Sequence, residues 1–279
     1  MNKETVLEEF ARATEVPDEE LDLSKTAFLI ASMQYPDLDF EHEFGVLDSI
    51  AAGASRWITE DMEALQAVNA LSRWLFDDLG FAGNHDDYYD PKNSYLNDLL
   101  DLRLGIPISL SLLYIEVGRR VGVPLVGIGM PGHFLVRHRD EESLFIDPFH
   151  KGILLSVDEC RKRFHKMTNN SVPWEAGHLA PIRNRDFIAR MLRNLKTIYV
   201  RKEDFIQVLW VMNMLVALLP DAAEERRDRG LIHHRLGSDT EALEDLRWFA
   251  STRHPGSKDE FLEKLIGDLM GLRGKQRST

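Results

Sequence analysis

Through the first eighty residues apolar side chains recur at three- and four-residue spacing, with polar ones between them. Val6, Phe10 and Ala13 form one stripe; Ala27, Ile30 and Ala31 form another, ended by Pro36. A third pattern, from about Thr59 to Leu79, carries Met62, Leu65, Val68, Leu71, Leu75 and Leu79. That period belongs to amphipathic helices. It stops between Phe81 and Asn93, in the polar, turn-rich stretch Gly83 to Pro91. Helical spacing returns through Tyr95, Leu96, Leu99 and Leu102, and then Ile106 to Val121 reads as a mostly apolar run closed by Glu116, Arg119 and Arg120. Such a run predicts a buried helix. Pro107 fits its first turn, where no backbone donor is needed, and Gly122 reads as its stop.

Beyond Gly122 the period changes. Pro124 to Gly129, His133 to His138 and Ser143 to Asp147 are three short apolar runs separated by turn residues, and Arg139 to Glu142 reads as a hairpin turn. A long buried helix followed by a small antiparallel sheet is an α+β pattern, here mainly helical. From about residue 184 the chain is helical again and repeats weakly at an offset of 35. Asp204 recurs as Asp239, Val208 as Leu243 and Pro220 as Pro255. Helix pairs near that period predict a tetratricopeptide-like array. The expected division is an acidic helical part over 1–90, a core over 91–180 and helical repeats over 181–279.

Charge narrows the partners. The chain of 279 residues has a formal charge of −12, and residues 1–100 alone carry 6 basic against 22 acidic side chains. An acidic front over a near-neutral remainder argues against nucleic acid and against anionic lipid. The uncharged stretch Val121 to Val136 holds four glycines and two prolines, too broken for a bilayer span. The N-terminal residues show no signal-peptide pattern, so a cytoplasmic location is expected. Cys160 is the one cysteine, which excludes an intramolecular disulfide and a CxxC metal site.

One constellation carries chemistry. Gly132-His133-Phe134 heads one predicted strand, and Asp147-Pro148-Phe149 ends the next. Antiparallel pairing brings imidazole and carboxylate together, and a carboxylate on one ring nitrogen leaves the other as a base. A structural His–Asp pair at a sheet edge is the plain alternative. These residues resemble the transglutaminase-like core, whose thiol enzymes use Cys, His and Asp in that order. Gly122-Val123-Pro124 is similar to that family's Gly-Ile-Pro, His133 to its His-Ala-Trp strand, and Asp147-Pro148 to its Asp-Pro-Thr. The fuller runs Gly83 to Asn97, Arg103 to Ser111 and Pro131 to Phe134 resemble the bacterial SirB-type branch, which joins such a core to C-terminal tetratricopeptide-like helices.

The resemblance implies a nucleophile at the start of the helix, near Pro107, and no cysteine stands there. Cys160 follows the Asp in sequence, whereas the family's thiol precedes the His, so it reads as an ordinary helix residue between Val157 and Phe164. Thiol-dependent activity is therefore not expected. The expected function is a non-catalytic module that binds a protein or peptide. The alternative is a serine-based hydrolase or acyl transferase using Ser109 or Ser111 with His133 and Asp147. Asn93, Tyr89, Gly132 and Phe134 are the candidate binding positions, Asn93 placed either to donate into the His133 pocket or to form a turn before Tyr95. His85, Asp86, Asp87 and Asp90 match no metal spacing, and neither a metal nor a cofactor is expected. Arg161 to Arg163 and Arg226-Arg227 read as solvated helix faces.

Overall fold

A computed structural model describes residues 2–59, 61–252 and 259–276. Four helices come first: α1 (Lys3–Thr14), α2 (Leu23–Ser32), α3 (Phe40–Ala54) and α4 (Ala64–Ser72). The acidic front has a local use here, since Asp22 and Asp39 accept the Lys25 and His42 backbone N–H groups at the starts of α2 and α3. The helix expected from Thr59 starts instead at Ala64. Thr59 donates its hydroxyl to Asp61 at 2.6 Å, a local turn that competes with the helix, and Leu65 is exposed. At its other end α4 runs into a π-helical segment, Arg73–Asp78.

The middle of the chain builds the layers around the candidate site. Strand β1 (Ala82–Gly83) pairs in parallel with β2 (Leu104–Gly105), and α5 (Leu96–Leu102) lies between them in sequence. Then comes α6 (Pro107–Arg120), in which every residue from Pro107 to Gly118 is buried. Gly122, at φ 78°, takes the left-handed conformation that ends the helix and turns the chain into the sheet. Strands β3 (Leu125–Ile128), β4 (Leu135–His138), β5 (Leu144–Asp147) and β6 (Ile153–Ser156) form one antiparallel sheet in sequence order. The three strands and the Arg139–Glu142 turn agree with the hydrophobic pattern. The fourth strand and the β1–β2 pair do not appear in it: Ile153-Leu154-Leu155 alternates no apolar with polar positions, and the two-residue strands β1 and β2 are too short to show a period.

Register sets which residues face which layer. Val136 stands opposite Ile146, and Arg137 opposite Phe145. Helix α6 packs against β3 and β4. Ile128, Leu135, Phe145 and Leu155 cluster instead with Cys160 and Phe164 of α7 (Val157–Met167), opened by a reciprocal Ser156–Glu159 capping box. Each such buried Leu, Ile or Phe side chain contributes about 1.5–3 kcal/mol by leaving water.

The chain divides into two compact units, residues 1–191 and 192–279, with the division inside α8 (Asn184–Arg201). The second unit continues with α9 (Phe205–Leu218), α10 (Ala223–Arg235), α11 (Asp239–Thr252) and α12 (Glu260–Gln276). The 35-residue offset relates α9 to α11. Asp204 caps α9, Asp239 opens α11, and Val208 and Leu243 are both buried. Pro255, the partner expected for Pro220, lies outside the described residues. Ala242, Leu243, Leu246, Phe249, Leu262 and Leu269 form one core cluster of this unit. Among the described residues no helix is long and apolar enough to cross a membrane.

Candidate functional site

Asp147 ends β5 and at once caps a single 3-10 turn, Pro148–His150. That turn folds the chain back, so the His150 backbone N–H reaches Asp147 Oδ1 at 3.3 Å and the His150 ring returns over the same carboxylate. His133 arrives from the other side, just before β4, after a turn in which Gly132 takes φ 80°. A side chain there would be strained, so Gly132 is a hinge for the approach to His133.

Three cationic or polar groups converge on one oxygen. Asp147 Oδ2 lies 2.9 Å from His133 Nε2, 2.8 Å from His150 Nδ1 and 2.7 Å from Arg163 Nη1. The carboxylate is fully buried and His133 nearly so, whereas the His150 side chain is 40% exposed. His150 and Arg163 make aligned hydrogen bonds, but His133 Nε2 is buried without one, despite its short distance. A carboxylate oxygen has two in-plane lone pairs, and both are taken. The expected approach of His133 to Asp147 is present, as an electrostatic contact. Burial on its own would raise the Asp147 carboxyl; the His133 and His150 contacts outweigh it and hold the group below the usual carboxylate range.

His150 and Arg163 are the members that hydrophobic patterning missed. The signal for His150 was present: an Asp-Pro pair opening a helical turn puts residue i+3 over the Asp. Arg163 corrects the reading of Arg161 to Arg163 as a solvated face, because its guanidinium points inward from α7 to Asp147 while its two neighbours stay exposed.

The two candidate nucleophiles are held by backbone. Ser109 Oγ donates to the Asn93 carbonyl oxygen at 2.6 Å, with Ile106 O at 3.1 Å, and accepts the Ile106 N–H at 3.0 Å. Ser111 Oγ donates to Pro107 O, one turn back, at 2.7 Å. Both residues are fully buried. Cys160 is also fully buried, within the α7 layer, and burial pushes its thiol up to about 12.

The candidate binding residues divide. Asn93 does not donate toward His133: its amide nitrogen donates to Asp87 O at 2.6 Å and Tyr88 O at 3.3 Å, and its Oδ1 accepts from Asn84. It ties the polar loop together instead. That loop lays Tyr88 edge-on to Phe149 at 6.0 Å and His85 edge-on to Phe149 at 4.6 Å, which makes an aromatic rim beside His150. Tyr89 stands exposed against Tyr88. Phe134 is buried against Phe187 at 4.7 Å, with the Arg190 guanidinium over its ring. Arg190 Nη2 donates to Met130 O and His133 O at 2.8 and 2.7 Å, so it pins the backbone that presents His133. Two clefts, of about 540 and 560 Å³, are lined by other residues, around Glu20 and Arg119 and around His42 and Trp74.

The ligand atoms of His133, Asp147 and His150 lie within 4.8 Å of one another, and among the described residues this trio is the set that could hold a metal ion. As acid–base chemistry, the arrangement offers a buried carboxylate that orients an imidazole. Among the described residues it places no activated thiol or free hydroxyl beside it.

Comparison with known proteins agrees with the fold. Residues 42–193 match the transglutaminase-like superfamily, and residues 195–261 match a tetratricopeptide repeat. A UPF0162 protein of Xylella fastidiosa is 38% identical over 95% of this chain and 94% of its own. One from Vibrio cholerae is 26% identical over 82% and 85%. Human F-box only protein 21 is 41% identical over 39% of this chain and 19% of its own. No solved structure matches.

Proposed function

The chain belongs to the transglutaminase-like superfamily, in its bacterial SirB-type branch with tetratricopeptide repeats, and from that footing we propose that it is a non-catalytic member acting as a protein- or peptide-binding module. The observation that supports this is the engagement of both serines. A hydroxyl bonded into the backbone of its own helix start cannot also pass its proton to an imidazole. The helix start carries no thiol either, and Pro107 has no N–H to offer an oxyanion. What the fold retains is a rigid His–Asp pair under an aromatic rim, together with repeat helices of a kind that presents surface to partners.

The test has two arms on the purified full chain. Amine incorporation and peptide or ester hydrolysis are expected to stay at the level without protein. Turnover lost in Ser109→Ala or Ser111→Ala would establish the serine-based reading in its place. In the second arm, binding to a peptide array is expected to weaken in Tyr89→Ala, with the melting temperature unchanged. Array binding that ignores the rim would move the partner surface elsewhere.

A further inference from the structure

We propose that His133 Nε2, Asp147 Oδ2 and His150 Nδ1 form a three-ligand site for a divalent first-row transition ion of the zinc class, with Arg163 as the exchangeable cation that covers the carboxylate. This inference does not depend on whether the protein is catalytic.

The distances favour chelation. Nε2 and Nδ1 lie 2.9 and 2.8 Å from the same oxygen. With metal–ligand bonds of about 2.0–2.2 Å, ligands at that separation subtend roughly 90° at the ion. Such angles suit a five- or six-coordinate ion, and an opening of about half an ångström gives a tetrahedral one. All three atoms lie within 4.8 Å of one another, and two ligands on one ion stand at most about 4.4 Å apart, so an inward shift of the imidazoles of no more than about half an ångström completes the set. Two imidazoles and one carboxylate suit zinc, cobalt, nickel or iron(II), rather than calcium or magnesium, which take oxygen ligands.

A second observation points to a ligand. His133 Nε2 is buried and has no aligned hydrogen-bond partner. A buried polar atom left this way is costly, and a metal ion uses its lone pair without the N–H alignment that the carboxylate fails to provide. Asp147 Oδ1, meanwhile, is steadied by the His150 N–H, so Oδ2 is the oxygen presented to the cluster. The exposed edge of His150 gives an ion a way in.

Arg163 Nη1 sits 2.7 Å from Oδ2 and 3.2 Å from His150 Nδ1, in the region an ion would take. Its side chain is 30% exposed, and Glu159 one turn earlier on α7 already feels its charge. Glu159 therefore offers the displaced guanidinium a partner on the solvent side. Exchange of one cation for another keeps the buried carboxylate compensated throughout.

The experiment uses the full chain, stripped with a chelator and titrated with Zn2+ against a chromophoric competitor, and with Co2+ by visible absorption. One ion per chain is expected. His150→Ala, which alters a half-exposed side chain, should weaken binding at least about tenfold. Arg163→Gln removes no ligand and should tighten it, since the competing charge is gone. Zn2+ should raise the melting temperature of the natural chain and of Arg163→Gln but not of His150→Ala. Failure of both the natural chain and Arg163→Gln to take up either ion would overturn the proposal. Binding that His150→Ala leaves unchanged would overturn it too, by placing the ion on other histidines.

Discussion

Arg229 holds Asp245 with two hydrogen bonds of 2.7 Å, Nε to one carboxylate oxygen and Nη2 to the other, and so locks α10 to α11. The Asp245 side chain is 4% exposed and that of Arg229 21%, so water competes little for the pair. Bidentate geometry of this kind is the strong form of an ion pair. Among the described residues, Asp245→Ala leaves a largely buried guanidinium with Asn213 Oδ1, at 3.2 Å, as its side-chain acceptor. Loss of one partner from such a pair costs about 3–5 kcal/mol, and the partial exposure of Arg229 puts the expected value near the lower end, about 3 kcal/mol. Urea unfolding followed by tryptophan fluorescence measures it. A loss under about 1 kcal/mol would mean that apolar packing alone joins these helices.

Acid should act on the same unit through Asp228. Burial on its own would raise this carboxyl; hydrogen bonds from Lys196 at 2.7 Å and Arg227 at 2.6 Å outweigh it and hold the group below its ordinary value of 3.8. A folded-state value below the unfolded one adds stability that is complete above the unfolded value and is lost as pH falls through the folded one. Asp228→Asn should therefore be less stable than the natural chain at about pH 6, with the gap narrowing as pH falls below about 4. A gap that stays constant between those conditions would remove titration of Asp228 from the account.

Much of the fold could be read from period alone. The buried helix with Pro107 in its first turn, its stop at Gly122 and the three strands leading to Asp147 all follow from long runs or from residues with fixed backbone demands. What could not be read was short or tertiary. β6 is no shorter than β3, β4 or β5, but Ile153-Leu154-Leu155 comes straight out of the Asp147 turn without alternation, and nothing distinguishes it from a loop until it pairs with β5. The site divides in the same way. His133 and Asp147 came from a hairpin argument about local chain geometry. Arg163 came from nothing local, since only the docking of α7 decides which of three neighbouring basic residues turns inward.

The two serines of α6 should respond differently to removal. Ser109 Oγ serves two groups at once, the Asn93 carbonyl and the Ile106 N–H, and so ties the polar loop to the helix start. Ser109→Ala is expected to cost about 1–3 kcal/mol, because a buried donor and acceptor lose their partner. Ser111 only bonds back to Pro107 O within its own helix, and Ser111→Ala is expected to change stability by less than about 1 kcal/mol. Thermal unfolding of the two variants gives the order. A reversed order would mean that Ser109 is not the link between loop and helix.

Cys160 should be inert in the folded protein. It is fully buried among Ile128, Leu135, Phe145 and Phe164, and burial lifts its thiol to about 12 despite Arg163 one turn away, whose charge acts in the opposite direction. At neutral pH the thiolate fraction is then only about 10⁻⁵, against a few per cent for a free thiol. The reagent must also wait for α7 to open. A disulfide reagent such as Ellman's should thus leave Cys160 unmodified for hours in buffer and titrate one equivalent within minutes in urea. Cys160→Ala should lower the melting temperature through the small cavity it leaves, while the His133 ring signals keep their positions, because the thiol packs into the apolar layer of Ile128, Leu135 and Phe164. Rapid native labelling would show that α7 opens readily. Labelling that also displaces the His133 signals would place the thiol in communication with the His–Asp pair, and the separation of the two would be lost.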